Sequence, residues 1–252
     1  MSDKCFLTIS NSSYIPVAEK LVSSAFKYHP EILFEFYGIN LSENDIIKLK
    51  KMHNNLKVYN HEKEFDDVSL EALYASSICR PLFIKKSMDE EYDVLYLDGD
   101  MVIKDNLNDL FSFVNDYDFV VNPSRGIRSK EFRCNAGLIW IKNNRKTISI
   151  VNEWQDVTVN FCEDGNPDIG LAWYSEQHAL DKMIEKYHFD KNEITYASFL
   201  NDHLSERKET RNSLIVHNKG SKDKPDSYPG KAKRFRAKKG TKLDVELGIG
   251  FK

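Results

Sequence analysis

Nowhere in this chain do two cysteines stand in a C-x-x-C pair. Cys5, Cys79, Cys134 and Cys162 are scattered over 252 residues, which argues against both a zinc site and a disulfide framework and leaves reduced thiols as the expectation. No run approaches the ~18 apolar residues of a membrane-spanning helix. The opening MSDKCFLTIS lacks the basic, apolar and small-residue succession of a secretory leader. A cytoplasmic protein, soluble or peripheral on a membrane, is therefore expected. Internal repeats, low-complexity tracts and long linkers are also missing from the sequence.

What is present is an ordinary soluble balance, 41% apolar and 30% charged, in a chain long enough for one large α/β domain or two small ones. The net charge of −3 hides an asymmetry. Between Lys219 and Lys242 ten Lys or Arg face only Asp223 and Asp226, a net of +8 that leaves −11 for the remainder. A basic carboxyl-terminal segment on an acidic body is the reading.

Apolar runs alternate with helical patterns in the first half. Residues 5–10, 32–39, 56–59 and 93–97 read as strands and 17–27 and 43–52 as helices, with 70–88 a mostly helical stretch that Pro81 should kink. This rhythm predicts a parallel sheet covered on both faces. The second half is less regular, with strands expected at 119–121, 138–141 and 214–216 and helices at 151–160 and 176–186. One domain over 1–218 with a decorated carboxyl half fits better than two, and 219–252 reads as loop or tail.

The sharpest feature is Val94-Leu95-Tyr96-Leu97-Asp98-Gly99-Asp100. An apolar strand delivers two carboxylates to its carboxyl-terminal end, where parallel sheets bind ligands. Glycine between them removes a side chain where a nucleotide would approach. Two hard oxygens suit Mg²⁺ or Mn²⁺, ions that neutralise a diphosphate. A calcium loop fails on spacing, because Val102 and Ile103 stand where a ligand and a glycine are needed.

The segment VLYLDGDMVIKDNLNDLF resembles the DxD segment of glycosyltransferase family 8, the family of glycogenin and of bacterial lipopolysaccharide galactosyltransferases. Five further segments, in the family's order, cover most of the chain. The resemblance implies an α/β GT-A-type nucleotide-binding fold: a mostly parallel central sheet flanked by helices, with an irregular carboxyl-terminal half. It also implies retaining transfer from a UDP-sugar with Mn²⁺ or Mg²⁺, to a glycan or glycolipid acceptor.

Residue by residue, LTISNSSY implies that Asn11 and Tyr14 lie beside the nucleoside, with Asn11 and Ser12 where the family often has Asp. SICRPLFI implies that Arg80 reaches the donor, and FRCNAGLIWI that Asn135 and Ala136 contact its sugar. YSEQHALDKMI places Gln177 and Glu176 at the reacting sugar face, with Glu176 where Asp is usual and Gln177 stabilising the region of the sugar cation. LIVHNKGSKDKP resembles H-x-x-G-x-x-K, which makes His217 the third metal ligand beside Asp98 and Asp100. Gly220 matches that motif, and Asp223 occupies the lysine position between Lys222 and Lys224, either of which would clamp the diphosphate. Asp98, Gly99 and these lysines are thus expected around the donor, and the tail of Lys231, Lys233, Arg234, Arg236, Lys238 and Lys239 to close on the site and face an anionic membrane or acceptor, not nucleic acid.

Two other readings share the pattern. The hhhhDxDx[TV] motif of haloacid-dehalogenase-like phosphatases also fits LYLDGDMV, with Asp98 as nucleophile and Asp164 and Asp168 as a second acidic pair. That nucleophile usually follows the first strand, however, and about three strands precede this one. A non-catalytic sugar-nucleotide-binding protein is the third reading, permitted by Ser12, Glu176 and Asp223.

Overall fold

The computed structural model describes residues 3–65, 68–123, 134–163, 175–200, 202–206 and 213–218. The strands expected in the first half form as β1 (Lys4–Asn11), β2 (Leu33–Ile39), β3 (Leu56–His61) and β4 (Asp93–Leu97). All five residues of β4 and nearly all of β1 and β2 are buried, as expected of strands covered on both faces. Later come β5 (Met101–Ile103), β6 (Phe119–Pro123), β7 (Cys134–Ile141), β8 (Tyr196–Ser198), β9 (Leu204–Glu206) and β10 (Ile215–His217). The helices are α1 (Ile15–Tyr28), α2 (Glu43–Lys50), α3 (Val68–Leu73), α4 (Arg80–Asp89), α5 (Asn108–Val114), α6 (Arg145–Glu163) and α7 (Ser175–Ile184).

Seven strands form one sheet in the order β3-β2-β1-β4-β7-β6-β8. Within it β7 runs antiparallel to both β4 and β6, while the remaining pairs are parallel. The sheet is thus mostly parallel, as the α/β expectation has it, with one reversed strand that a purely parallel reading lacks. Alternate strand residues enter two cores. One holds Leu7, Tyr37 and Tyr96 with Phe83 of α4, Trp154 of α6 and Leu180 of α7. The other holds Phe6, Phe34 and Leu95 with Leu21 of α1, Leu49 of α2 and Leu110 of α5.

Pro81 does not kink a continuous helix. It sits in the first turn of α4, where its missing N–H costs nothing. The approach from α3 instead passes through a π turn at Tyr74–Ile78. The last strand of the chain's described part, β10, joins a small second sheet, β5-β10-β9. The basic segment 219–252, and with it Gly220, Lys222 and Lys224, lies outside the described residues. No described helix is long and apolar enough to cross a membrane.

Candidate functional site

Two strand registers build the centre of the site. The β4–β7 ladder ends at Leu97↔Leu138, and the next residue, Asp98, donates its N–H to the Gly137 carbonyl at 2.8 Å. A turn then closes where the Met101 N–H reaches the Asp98 carbonyl at 2.9 Å. In the small sheet His217 pairs with Met101, and the Asn218 N–H bonds the Asp100 carbonyl at 3.0 Å. The ladder therefore sets His217 beside the carboxylates. His217 Nε2 lies 2.9 Å from Asp100 Oδ1 and 3.7 Å from Asp98 Oδ2. One ligand atom from each of the three falls within 4.8 Å of the others, a spacing that one ion could bridge.

Asp98 is fixed by groups on its other oxygen. Tyr96 Oη donates to Asp98 Oδ1 at 2.9 Å and Arg80 Nη2 donates to the same atom at 3.1 Å. The Arg80 guanidinium lies over the Tyr96 ring, 4.7 Å from its centroid. Its Nη1 reaches Glu176 Oε1 at 2.7 Å and its Nη2 the Ser76 carbonyl at 2.5 Å. Burial works against the Arg80 charge, but Tyr96, Asp98 and Glu176 raise its pKa and hold it ionised. Burial pushes the Glu176 carboxyl up, and Arg80 opposes that shift. Arg80 Nε, Glu176 Oε2 and His217 Nδ1 are buried with no hydrogen-bond partner among the described residues.

A third group is ordered by two backbone N–H donors. The Gly137 N–H bonds Asn135 Oδ1 at 3.1 Å, so the Asn135 amide must present its Nδ2 elsewhere. That Nδ2 donates to Gln177 Oε1 at 3.0 Å, and the Ala136 N–H approaches the same oxygen at 3.4 Å. Backbone donors have one polarity, so both side-chain amides are determined. The Gln177 carbonyl is therefore engaged inside the protein by Asn135 and the Ala136 backbone.

Glycine matters here through space. A Cβ on Gly137 would stand 2.6 Å from Asp98 Oδ2, 3.0 Å from Asn135 Oδ1 and 3.1 Å from His217 Cε1. A Cβ on Gly99 would meet Tyr14 Cδ1 at 3.4 Å and Ala18 Cβ of α1 at 3.5 Å, ordinary van der Waals contacts. Among contacts within the protein, the close approach that demands glycine is at Gly137.

Asn11, Tyr14, Arg80, Asp98, Gly99, Asp100 and His217 line a single cavity of about 210 Å³, with Tyr96 in its wall. Asn11 is held by Glu71, whose Oε1 accepts from its Nδ2 at 3.0 Å, while Ser13 donates to its Oδ1 at 2.8 Å. Asn135, Ala136, Glu176 and Gln177 do not line that cavity. Glu176 reaches it through Arg80, and the Ala136 side chain packs in the core at 1% exposure. Tyr96, Gly137 and Glu71 are absent from the residues singled out by sequence. Tyr96 had a readable signal, since two residues apart on a strand share a face and Tyr96 precedes Asp98 by two.

The family model of nucleotide-diphospho-sugar transferases matches residues 43–235. Comparison with curated proteins gives no match. Among solved structures, the apo form of the glycosyltransferase GlyE of Streptococcus pneumoniae TIGR4 aligns with a TM-score of 0.58 at 16% identity, over 90% of this chain and 57% of that one. A second GlyE structure aligns with the same score and coverage at 17% identity. At that identity the likeness is one of fold, and this chain spans 57% of the length of GlyE.

Proposed function

Because the chain belongs to the nucleotide-diphospho-sugar transferase family, we propose that it is a metal-dependent, retaining hexosyltransferase of the family 8 type, moving a sugar from UDP to a hydroxyl of a glycan or glycolipid. The observation that carries this reading is the meeting of Asp98, Asp100 and His217 at one cavity. Two carboxylates and an imidazole fit a divalent ion, and the imidazole favours Mn²⁺ over Mg²⁺, which prefers oxygen alone. When bound, the ion would neutralise the donor diphosphate and stabilise it as a leaving group.

The chain's own residues then bind and orient. Asn11 and Tyr14 hold the nucleoside, the Gly99 backbone and Arg80 flank the diphosphate and sugar, and Gly220 with Lys222 or Lys224 closes over the phosphates. Asn135, the Ala136 backbone and Gln177 order the sugar, with Gln177 Nε2 donating to one of its oxygens. In the front-face route the C1–O bond breaks with its electron pair leaving on the phosphate oxygen. The acceptor oxygen bonds C1 on the same face, and its proton passes to the departing phosphate.

The basic segment would rest on an anionic membrane, at about 1 kcal/mol per cation. Co-sedimentation of the full chain with anionic vesicles at low salt, lost in a chain ending at Tyr228, is the expected result. The function itself is tested by incubating the protein with UDP-, GDP- and CDP-sugars and Mn²⁺ or a chelator. Slow hydrolysis of a UDP-sugar that stops on chelation is expected. Phosphate release from p-nitrophenyl phosphate without UDP-sugar turnover would favour the phosphatase reading, and UDP binding without any turnover the binding protein.

A further inference from the structure

We propose that Tyr96 is a positioning residue for the metal ligand, fixing Asp98 so that a single oxygen, Oδ2, is presented to the ion. This rests on the metal reading above. Asp98 is the least buried of the three ligands, its side chain 27% exposed against 8% for Asp100 and 1% for His217. A carboxylate with that freedom would rotate about its last torsion and offer an ion either oxygen or both. The surroundings remove the choice. Oδ1 accepts from Tyr96 Oη and from Arg80 Nη2, while Oδ2 faces His217 Nε2 and the bare Cα of Gly137.

The two donors to Oδ1 are not equivalent. Arg80 Nη2 is shared with the Ser76 carbonyl and Nη1 is spent on Glu176, and Arg80 lines the cavity, where a phosphate or sugar oxygen can draw it away. Tyr96 is 2% exposed and rises from a strand buried along its whole length. Its ring packs in the core, so its hydroxyl is held in place by the fold itself. When a donor recruits Arg80, Tyr96 is the group that keeps Asp98 oriented. Groups that orient a metal ligand in this way typically contribute ~10–100-fold in affinity.

The test is Tyr96→Phe in the full chain, which keeps the ring and removes only the hydroxyl. Mn²⁺ affinity is read by electron paramagnetic resonance without nucleotide, beside thermal midpoint and metal-free UDP affinity. The expected result is Mn²⁺ binding weakened ~10-fold or more, with thermal midpoint and metal-free UDP affinity unchanged and UDP-sugar hydrolysis rescued by excess Mn²⁺. Wild-type Mn²⁺ affinity in the variant would overturn this inference and leave the metal reading standing. A variant that unfolds, or that loses UDP binding equally with and without Mn²⁺, would make Tyr96 a structural residue and overturn it too. Failure of the wild-type protein itself to bind Mn²⁺ would sink the metal reading and this inference together.

Discussion

Gly137 lies opposite Asp98 across the β4–β7 ladder, so close that a Cβ on it would stand 2.6 Å from Asp98 Oδ2. The Gly137 carbonyl accepts the Asp98 N–H at 2.8 Å, so neither backbone can retreat without breaking that bond. Gly137→Ala is therefore expected to displace the carboxylate from the His217 side of the site. Overpacking of this kind costs ~1–3 kcal/mol, and Mn²⁺ affinity should fall ~10-fold or more as a ligand turns away. Chemical denaturation and a Mn²⁺ titration check both halves. Gly99→Ala, whose new methyl meets only ordinary contacts, serves as the comparison and should fold normally.

The two aspartates should differ when mutated, because only Asp98 is paired with the buried Arg80. Asp100→Asn should remove Mn²⁺-dependent UDP-sugar hydrolysis with little change in stability. Asp98→Asn should also lose activity and in addition destabilise the protein by ~1–3 kcal/mol, because buried Arg80 then loses one of its two charged partners. Activity at saturating donor and unfolding free energy, measured on both, separate the roles. Near-normal activity of either variant would remove it from the metal site.

Gln177→Glu keeps an oxygen for Asn135 Nδ2 and the Ala136 N–H and replaces the remaining Nε2 donor with a second oxygen. Loss of one hydrogen bond to a developing charge or sugar oxygen should lower kcat by ~100-fold, about 3 kcal/mol, with UDP affinity retained. A variant that keeps its rate, or one that accumulates a glycosyl adduct on Glu at 177, would show that an oxygen at this position serves the reaction.

Away from the cavity, Glu35 is fully buried on β2, with Tyr59 Oη 3.2 Å from Oε1 and Ser87 Oγ donating to Oε2. Burial pushes its carboxyl above the usual 4.5 against the pull of Ser87. The protonated form thus fits the fold better than the ionised one. Its stabilising contribution is complete below the unfolded pKa and is lost as pH rises through the folded value. Glu35→Gln should match wild type near pH 4.5 and become the more stable of the two toward neutral pH. Thermal midpoints across that range decide it, and a gap that shrinks as pH rises would contradict the assignment.

The parts of the fold readable in sequence are those where burial writes a continuous pattern. β1, β2 and β4 are apolar along their length because helices cover both faces. Three of the four three-residue strands, β5, β8 and β9, carry too few residues to show a period, and α5 is only seven residues long. β7 was read from Leu138, whereas it begins at Cys134. Asn135 and Gly137 look like a turn, yet pairing with β6 across a bulge at Val121/Asn122 keeps them in the strand. At the site, Asp98, Asp100 and His217 were readable because each ends or follows an apolar strand. Tyr96 and Gly137 were harder, since an apolar-looking strand residue and a turn-like glycine acquire their meaning only when β4 and β7 are paired.

The central claim is that His217 completes a cation site which in turn holds the donor diphosphate. UDP affinity measured by calorimetry with and without Mn²⁺, for wild type and His217→Ala, tests it most directly. Mn²⁺ should strengthen UDP binding by wild type by ~10-fold or more, about 1.4 kcal/mol or above, and the variant should lose that enhancement while keeping its weak metal-free binding. Equal enhancement in both proteins would place the ion elsewhere and contradict the account.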